Sequence, residues 1–563
     1  MGVPRLFPWI CQTFPEAKLS FFKGEWSTSV DWAYLDASGI LHSANQRIHH
    51  YGSNVTPIDM YAKYTPEEKQ IASFELIFDT MVFITTIVRP KKGLYIAIDG
   101  PAPRGKQAQQ RQRRATASHD RPEGFDSNCL SPGTEYMFEL TKYLHFHIRR
   151  RMETDAAWRK LDVVFSPPSV PGEGEHSCLN FMRRLPDAEK LTHCIYGPDG
   201  DLIMLTLSIH LPHIFLLRED QYNPDHYDYV DMGFVRKSLP KVVAARGLDD
   251  VSNDFILAGF FVGNDFLPKI QMFMFLEDGL ELMINTYSRL YRSHKLTLNN
   301  QICHPGFTRF IEELSRREKM YLEDQLSKPV PDARFTNHTL LKHSKQDAKT
   351  GKYSVSMKDY RRDYYAKSGI DSSDEAAVTA QCIDYLRSIA WVFHYYVSGL
   401  PSWTYCYEWH YAPLMTDLWE TMKALEVEDL ASIYTFTTDD MGAPNLPFVH
   451  LLTVLPRPSE SLLPEEFRSI LTSEKSELRT RGYLPDTLEI DYEGKTKEHM
   501  AVIKLPFVNV GVVKKAYDKI QQKAKYGRNQ VGKEETFRYD PSYNASYVSD
   551  YGKLELMHIR KLC

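Results

Sequence analysis

The 563-residue sequence has no apolar run of the roughly 18–20 residues that a membrane span takes, so no integral membrane segment is expected. Its opening, MGVPRLFPWI, lacks the long apolar core of a secretory signal, and Leu6 stands where myristoylation needs Ser or Thr. Cysteine is sparse: eight residues are dispersed with no CxxC or CxxH pair, which argues against structural zinc and fits a reducing compartment. There is no internal repeat and no low-complexity block. Excess positive charge is absent too, since 68 Lys and Arg face 73 Asp and Glu for a net charge of −5. A protein that met a polyanion would have to do so through local patches rather than bulk charge.

What is present is an ordinary globular balance, 43% apolar and 25% charged, with a high aromatic share of 12% that crowds the second half. The length predicts two large domains, or one with a major elaboration.

Seven acids organise the first half: Asp36, Asp99, Glu173, Glu175, Asp199, Asp201 and Asp265. Most follow an apolar run, as in WAYLD, LYIAID, CIYGPDGD and FILAGFFVGND. Such runs, separated by helical stretches, read as buried parallel strands. In open α/β sheets ligands bind beyond the carboxyl ends of the strands, so these side chains can converge from distant positions. An Asp after a strand is more often a helix cap or turn residue. Seven together, with the closely spaced pairs E-G-E and D-G-D, are harder to explain that way. In extended backbone, i and i+2 point the same way and can serve one ion. Clustered carboxylates repel unless a cation sits among them, and oxygen-only ligands favour Mg²⁺ or Mn²⁺, here two ions. Set apart from the seven, 66 acids (73 less 7) face 68 bases, so the remainder is slightly basic.

Directly after Asp99 comes GPAPRGKQAQQRQRR. Lys106, Gln110, Arg113 and Arg114 fall at i, i+4, i+7 and i+8, one face of a helix, and arginine forks suit phosphate oxygens. Elsewhere such a run would read as a solvated face; beside a proposed ligand it suggests a pocket for a terminal phosphate. The run HIRRR ending at Arg151 has no such neighbour and reads as surface charge, with backbone tracking as its one functional option.

The remaining organisation follows from periodicity. Residues 1–30 read as loop, followed by a first strand ending at Asp36 and a helix. Thr65-Pro66-Glu67-Glu68 is a helix start with a capping box, and that helix ends at Pro90 before a strand at Leu94–Ile98. Strand–helix alternation to about residue 290 predicts a doubly wound α/β nuclease domain over 1–295. Residues 296–352 read as a joining segment with a helix near 305–325. A helical, aromatic-rich region is expected over 353–520, with a buried helix at 377–400, and a polar extended tail over 521–563.

Taken together, LDASGILH, IAIDGPAPRGKQAQQRQRR, VPGEGEH, GPDGDLIML and FVGNDFLP, with YRRDYYAKSGI, WVFHYYVSGLPSW, HYAP and VIKLPFVN, resemble the XRN family of 5′→3′ exoribonucleases. The resemblance runs over roughly residues 1–520 and covers both of the family's conserved regions in order. It implies a PIN/flap-nuclease-like fold with a central, mostly parallel sheet, and a second region closing the active site. It implies processive hydrolysis of single-stranded RNA bearing a 5′-monophosphate, releasing 5′-mononucleotides. It also implies that the seven acids bind metal, that Lys106, Gln110, Arg113 and Arg114 form the 5′-phosphate pocket, and that His42 and Trp403 stack on the terminal base.

The sequence departs from the family in places. Tyr405 stands where a second tryptophan is common, CYEWHYAP replaces YPYHYAP, and NDF at 253–255 replaces DDF, which makes Asp254 a weaker ligand candidate than Asp265. The interval from Asp201 to Asp265 is short, and long C-terminal extensions are missing, so a near-minimal core is expected. Competing readings are a structure-specific flap DNA endonuclease of the related fold and a catalytically inactive RNA-binding scaffold. A monomer is expected, and the want of a strong basic import cluster favours the cytoplasm, with the nucleus as the alternative. Decapping machinery is a fitting partner for a 5′-monophosphate enzyme, but no residue here identifies it.

Overall fold

The structure, a computed structural model, describes residues 6–52, 56–119, 125–220, 223, 225–243, 250–273, 276–290, 294–521 and 526–562. The five residues that open the sequence motif MGVPR lie outside them.

Nine strands form the central sheet: β1 (Lys18–Phe22), β2 (Val30–Asp36), β3 (Pro90–Ala97), β4 (Asp162–Ser166), β5 (His193–Tyr196), β6 (Ile214–Glu219), β7 (His226–Asp231), β8 (Glu535–Tyr539) and β9 (Ile559–Leu562). Their order is β1-β7-β6-β5-β2-β3-β4-β8-β9. The middle five, β6-β5-β2-β3-β4, are parallel, and both flanks are antiparallel. The chain leaves β2 for β3 on one side and later returns to β5 on the other, which puts a switch point at β2.

Alternation along the parallel strands explains the continuous apolar runs. Trp32, Tyr34 and Tyr95 enter one core, whereas Ala33, Leu35, Leu94 and Ile96 enter the other. Both sheet faces are covered, as parallel sheets require. The first of these cores continues without a break into the second half of the chain through the helix Glu375–Val397, whose Trp391, Phe393 and Tyr396 are buried in it. A third cluster joins the helices Pro447–Val454, Glu465–Thr472 and Val510–Gln521.

Several sequence readings need correction. Residues 1–30 are not simply loop: Leu6–Thr13 is helical and β1 pairs with β7. The helix expected near 305–325 is two, His304–Ser315 and Glu318–Gln325. The segment read as a polar tail is extended but not free. Its β8 pairs with β4 and its β9 with β8, widening the sheet. Arg149, read as surface charge, is buried, its guanidinium 4.3 Å from the ring centroids of both Phe537 and Tyr547. The helix Pro66–Val88 is long and apolar enough on average to cross a membrane, against the expectation of no such stretch. It begins with the predicted capping box, and Phe74, Ile77, Met81 and Ile84 pack in the sheet's second core.

Candidate active site

The carboxyl ends of β5, β2, β3 and β4 stand side by side, and six of the seven acids follow them. Asp36 is the last residue of β2, and Asp99 lies just beyond β3. Glu173 caps, and Glu175 begins, the helix Gly174–Arg184 after β4. Asp199 precedes, and Asp201 opens, the helix Asp201–Ser208 after β5. Asp265 comes from the loop after Phe260–Val262. The paired acids therefore do not share extended backbone, as i and i+2 spacing suggested. Helix first turns aim Glu175 and Asp201, with Glu173 at an N-cap and Asp199 just before one, where free N–H groups and the helix dipole favour negative charge.

Asp36, Asp99 and Glu175 each offer an oxygen, with all three atoms within 4.8 Å of one another; Glu173, Glu175 and His176 form a second such group. The Gly174 N–H donates to Asp99 Oδ1 at 2.7 Å. Asp36 Oδ1 is buried without a hydrogen-bond partner. Such an oxygen is costly unless a cation or donor meets it. Burial and neighbouring carboxylates push Asp36 and Glu175 well above the ordinary range. Burial and the Asp265 charge push Asp201 up to about 7. The Asp36, Asp99 and Glu175 group fits hard divalent cations: it offers oxygens only, is largely buried, and is short of positive charge. Asp199 is exposed at the rim.

The one protein cation inside the acid cluster, among the described residues, is Lys106. Its Nζ lies 2.5 Å from Glu173 Oε2 and 2.8 Å from Asp265 Oδ2. Burial opposes the charged form of both acids. At Asp265 burial is the largest influence, but the Lys106 ammonium is among the positive charges that together hold the carboxyl down to about 2, whereas at Glu173 burial, with Asp99 and Asp265 nearby, keeps it raised. Lys106 thus borders the basic face of Gln110, Arg113 and Arg114 but points to the acids. Phe266 lies beneath its ammonium at 5.6 Å.

The basic run forms the helix Arg104–His119 as predicted. Gln110 is buried, with its Oε1 3.0 Å from His450 Nε2. Arg114 donates from Nε to Ser131 Oγ at 3.0 Å, and burial with the adjacent Arg113 lowers it to about 9. Arg113 is exposed. The opposite face is clamped to the second region. Arg111 donates to the carbonyl of Pro506 at 2.6 Å and to that of Tyr483, and Gln112 to that of Ile503 at 3.4 Å. The motif VIKLPFVN is therefore a dock for this helix.

His42 lies on the helix Ser38–His49 with an open face. Surrounding protein and the repulsion of Arg113 and Arg114 lower its imidazole to about 4. With that face open to water, the two guanidiniums are the firmer cause. Trp403 is pinned by its backbone at the other end of the basic helix: its carbonyl accepts from the Arg104 N–H at 3.0 Å, and its N–H donates to Met441 at 2.7 Å. No ring contact joins His42 and Trp403 among the described residues, but they flank the same helix.

Sequence reasoning passed over four further side chains. Tyr395 donates to Glu173 Oε1 at 3.0 Å and stacks on His176 at 3.6 Å, with the ring planes 3° apart. It was visible only as one aromatic in a buried helix. His450 sits in an apolar helix with no motif to mark it. Arg104, whose guanidinium donates to the carbonyl of Val508 at 3.3 Å, and Arg111 were legible as charge but not as clamps. Asp254 is taken up structurally, accepting from the Thr297 N–H at 2.7 Å, the Leu296 N–H at 3.1 Å and the Tyr287 hydroxyl.

Two family models match. "XRN 5'-3' exonuclease N-terminus" covers residues 1–220, and "Xrn1 helical domain" covers 246–328 and 312–557 in overlapping matches. The chain is 28% identical to the 5'-3' exoribonuclease 1 of Homo sapiens, over 90% of this chain and 33% of that protein. It is 26% identical to the 5'-3' exoribonuclease 1 of Saccharomyces cerevisiae, over 98% of this chain and 45% of that protein. With the 5'-3' exoribonuclease 2 of Arabidopsis thaliana it shares 26% identity, over 90% of this chain and 66% of that protein. The chain spans between a third and a half of the length of the first two relatives.

Proposed function

The chain belongs to the XRN family of 5′→3′ exonucleases, and on that premise we propose that it is a 5′→3′ exoribonuclease acting on single-stranded RNA with a 5′-monophosphate. The observation that carries the reading is the meeting of largely buried carboxylates from the adjacent ends of β2, β3 and β4 with a cationic helix that starts right after one of them.

In this reading Asp36, Asp99, Glu173, Glu175, Asp199, Asp201 and Asp265 hold divalent ions, two Mg²⁺ or Mn²⁺. When bound, these supply the positive charge that stabilises the attacking and leaving oxygens of phosphodiester hydrolysis. Arg113, Arg114 and the Gln110 amide grip the 5′-phosphate, so the first phosphodiester lies toward the acids. Lys106, already among the carboxylates, adds positive charge between the two subsites. Neutral imidazole and indole surfaces at His42 and Trp403 hold the terminal base regardless of sequence. Water attacks the phosphorus, the P–O3′ bond breaks, the 3′-oxygen takes up a proton, and a 5′-mononucleotide leaves. The shortened strand again presents a 5′-phosphate, which permits processive rounds.

Two RNAs of one sequence, with 5′-phosphate and 5′-hydroxyl ends, test this in Mg²⁺. Preferential loss of the phosphorylated strand is expected. Equal decay of both would remove the pocket from the account.

A further inference from the structure

The phosphate-facing side of the cationic helix is braced from behind by His450. This residue is fully buried on the helix Pro447–Val454, with Nε2 3.0 Å from Gln110 Oε1. Its other nitrogen, Nδ1, is buried with no hydrogen-bond partner. A neutral imidazole carries one N–H. Buried N–H groups without an acceptor are rarer than buried acceptors without a donor, so the proton belongs on Nε2. His450 is then the donor and Gln110 Oε1 the acceptor. That choice turns the Gln110 NH₂ away from His450, and by its spacing Gln110 shares a helix face with Arg113 and Arg114. The flipped amide would turn its oxygen toward a phosphate and repel it.

Two further observations support a fixed arrangement. Burial and the nearby Arg114 charge hold the imidazole well below its ordinary value, so it stays neutral. The His450 helix is also pressed against the turn that holds Arg114. Gly133 there has φ +92°, and an added Cβ would lie 2.8 Å from Pro447 Cβ and 3.2 Å from Leu451 Cδ1. The neighbouring Ser131 accepts from Arg114 at 3.0 Å. One packing contact therefore steadies both Gln110 and Arg114.

We propose that His450 is a positioning residue for the 5′-phosphate pocket: its Nε2–H fixes the Gln110 amide with NH₂ toward the phosphate and so sharpens the choice of 5′-monophosphorylated over 5′-hydroxyl RNA. The inference rests on the reading of Gln110 as a phosphate ligand.

The test compares kcat and KM of the parent, His450→Leu and His450→Gln on RNAs with the two 5′ ends. His450→Leu is expected to raise KM for 5′-phosphorylated RNA about tenfold, the scale of one charge-assisted hydrogen bond. Its kcat and its decay of 5′-hydroxyl RNA should match the parent. His450→Gln, which keeps an N–H near the same place, should restore most of the discrimination. If the leucine variant does not fold, His450→Asn, too short to reach Gln110, takes its place with the same expectation. A variant that discriminates like the parent, or loses activity equally on both RNAs, overturns the proposal. A parent that does not distinguish the two ends overturns the pocket reading and this inference with it.

Discussion

Gly174 separates the two glutamates of the E-G-E motif, and replacing it isolates the carboxylate geometry from the fold. In Gly174→Ala the new Cβ would stand 3.0 Å from Asp36 Oδ1, 3.3 Å from Asp99 Oδ1 and 3.5 Å from Ala97 Cβ. The first is the buried oxygen without a partner, and the second accepts the Gly174 N–H. Both must retreat by a few tenths of an ångström. A full ångström of misplacement costs on the order of a hundredfold in rate, so this retreat should cost about three- to tenfold in kcat/KM. The half-saturating Mg²⁺ concentration should rise with it. Stability should change little, since Gly174 stands at the helix start rather than in its interior and the new methyl meets only side-chain atoms. The control is Gly105→Ala in the basic helix, whose Cβ would meet Trp391 and Phe266 at 3.5–3.6 Å, ordinary contact. The assays are Mg²⁺-dependent RNA decay and thermal unfolding of both variants. If Gly174→Ala keeps the parent's Mg²⁺ requirement and turnover, Asp36 and Asp99 do not hold the ions that turnover needs.

Asp201→Ala should abolish turnover while leaving RNA binding intact, as filter binding beside a decay assay would reveal; parental decay by the variant would mean the site is elsewhere. The pH dependence follows from the raised carboxyls. A carboxyl raised in the folded state favours folding at low pH and loses that contribution as pH rises through its folded value, about 7 at Asp201. Ion binding needs the deprotonated form, so the gain in Tm from Mg²⁺ should grow between pH 6 and pH 8; a constant gain would contradict the shifts at Asp36, Glu175 and Asp201. Arg149→Ala should lose about 2 kcal/mol of stability in chemical unfolding, through its stacking on Phe537 and Tyr547 and its buried stem, while exposed Arg150→Ala changes nothing measurable.

The acids after β2, β3 and β5 were legible because each ends an apolar run, and a parallel sheet buried on both faces produces such runs. The reason given for the pairs was wrong in detail, since helix first turns rather than extended backbone aim Glu175 and Asp201, and only Glu173 of the three keeps extended backbone. Spacing put Lys106 on one face with Gln110, Arg113 and Arg114, but a long flexible side chain at the helix start reaches sideways to Glu173 and Asp265. His450 and Tyr395 were hidden because their partners are distant in sequence and their own surroundings are apolar. The strands β8 and β9 read as tail because they lie at the edge of the sheet and bury little: only Phe537 in β8 and Ile559 in β9 are fully covered. Arg149 was misread for a related reason, its cover arriving from nearly four hundred residues later.

The identity of the first product tests the central claim most directly. An RNA labelled on its 5′-phosphate, incubated with the protein and Mg²⁺, should release the label as a mononucleotide from the first moments, with no labelled oligonucleotide of intermediate length. Labelled internal fragments, or label released as inorganic phosphate, would contradict a site in which a cationic helix holds the leading phosphate beside the carboxylates that direct cleavage.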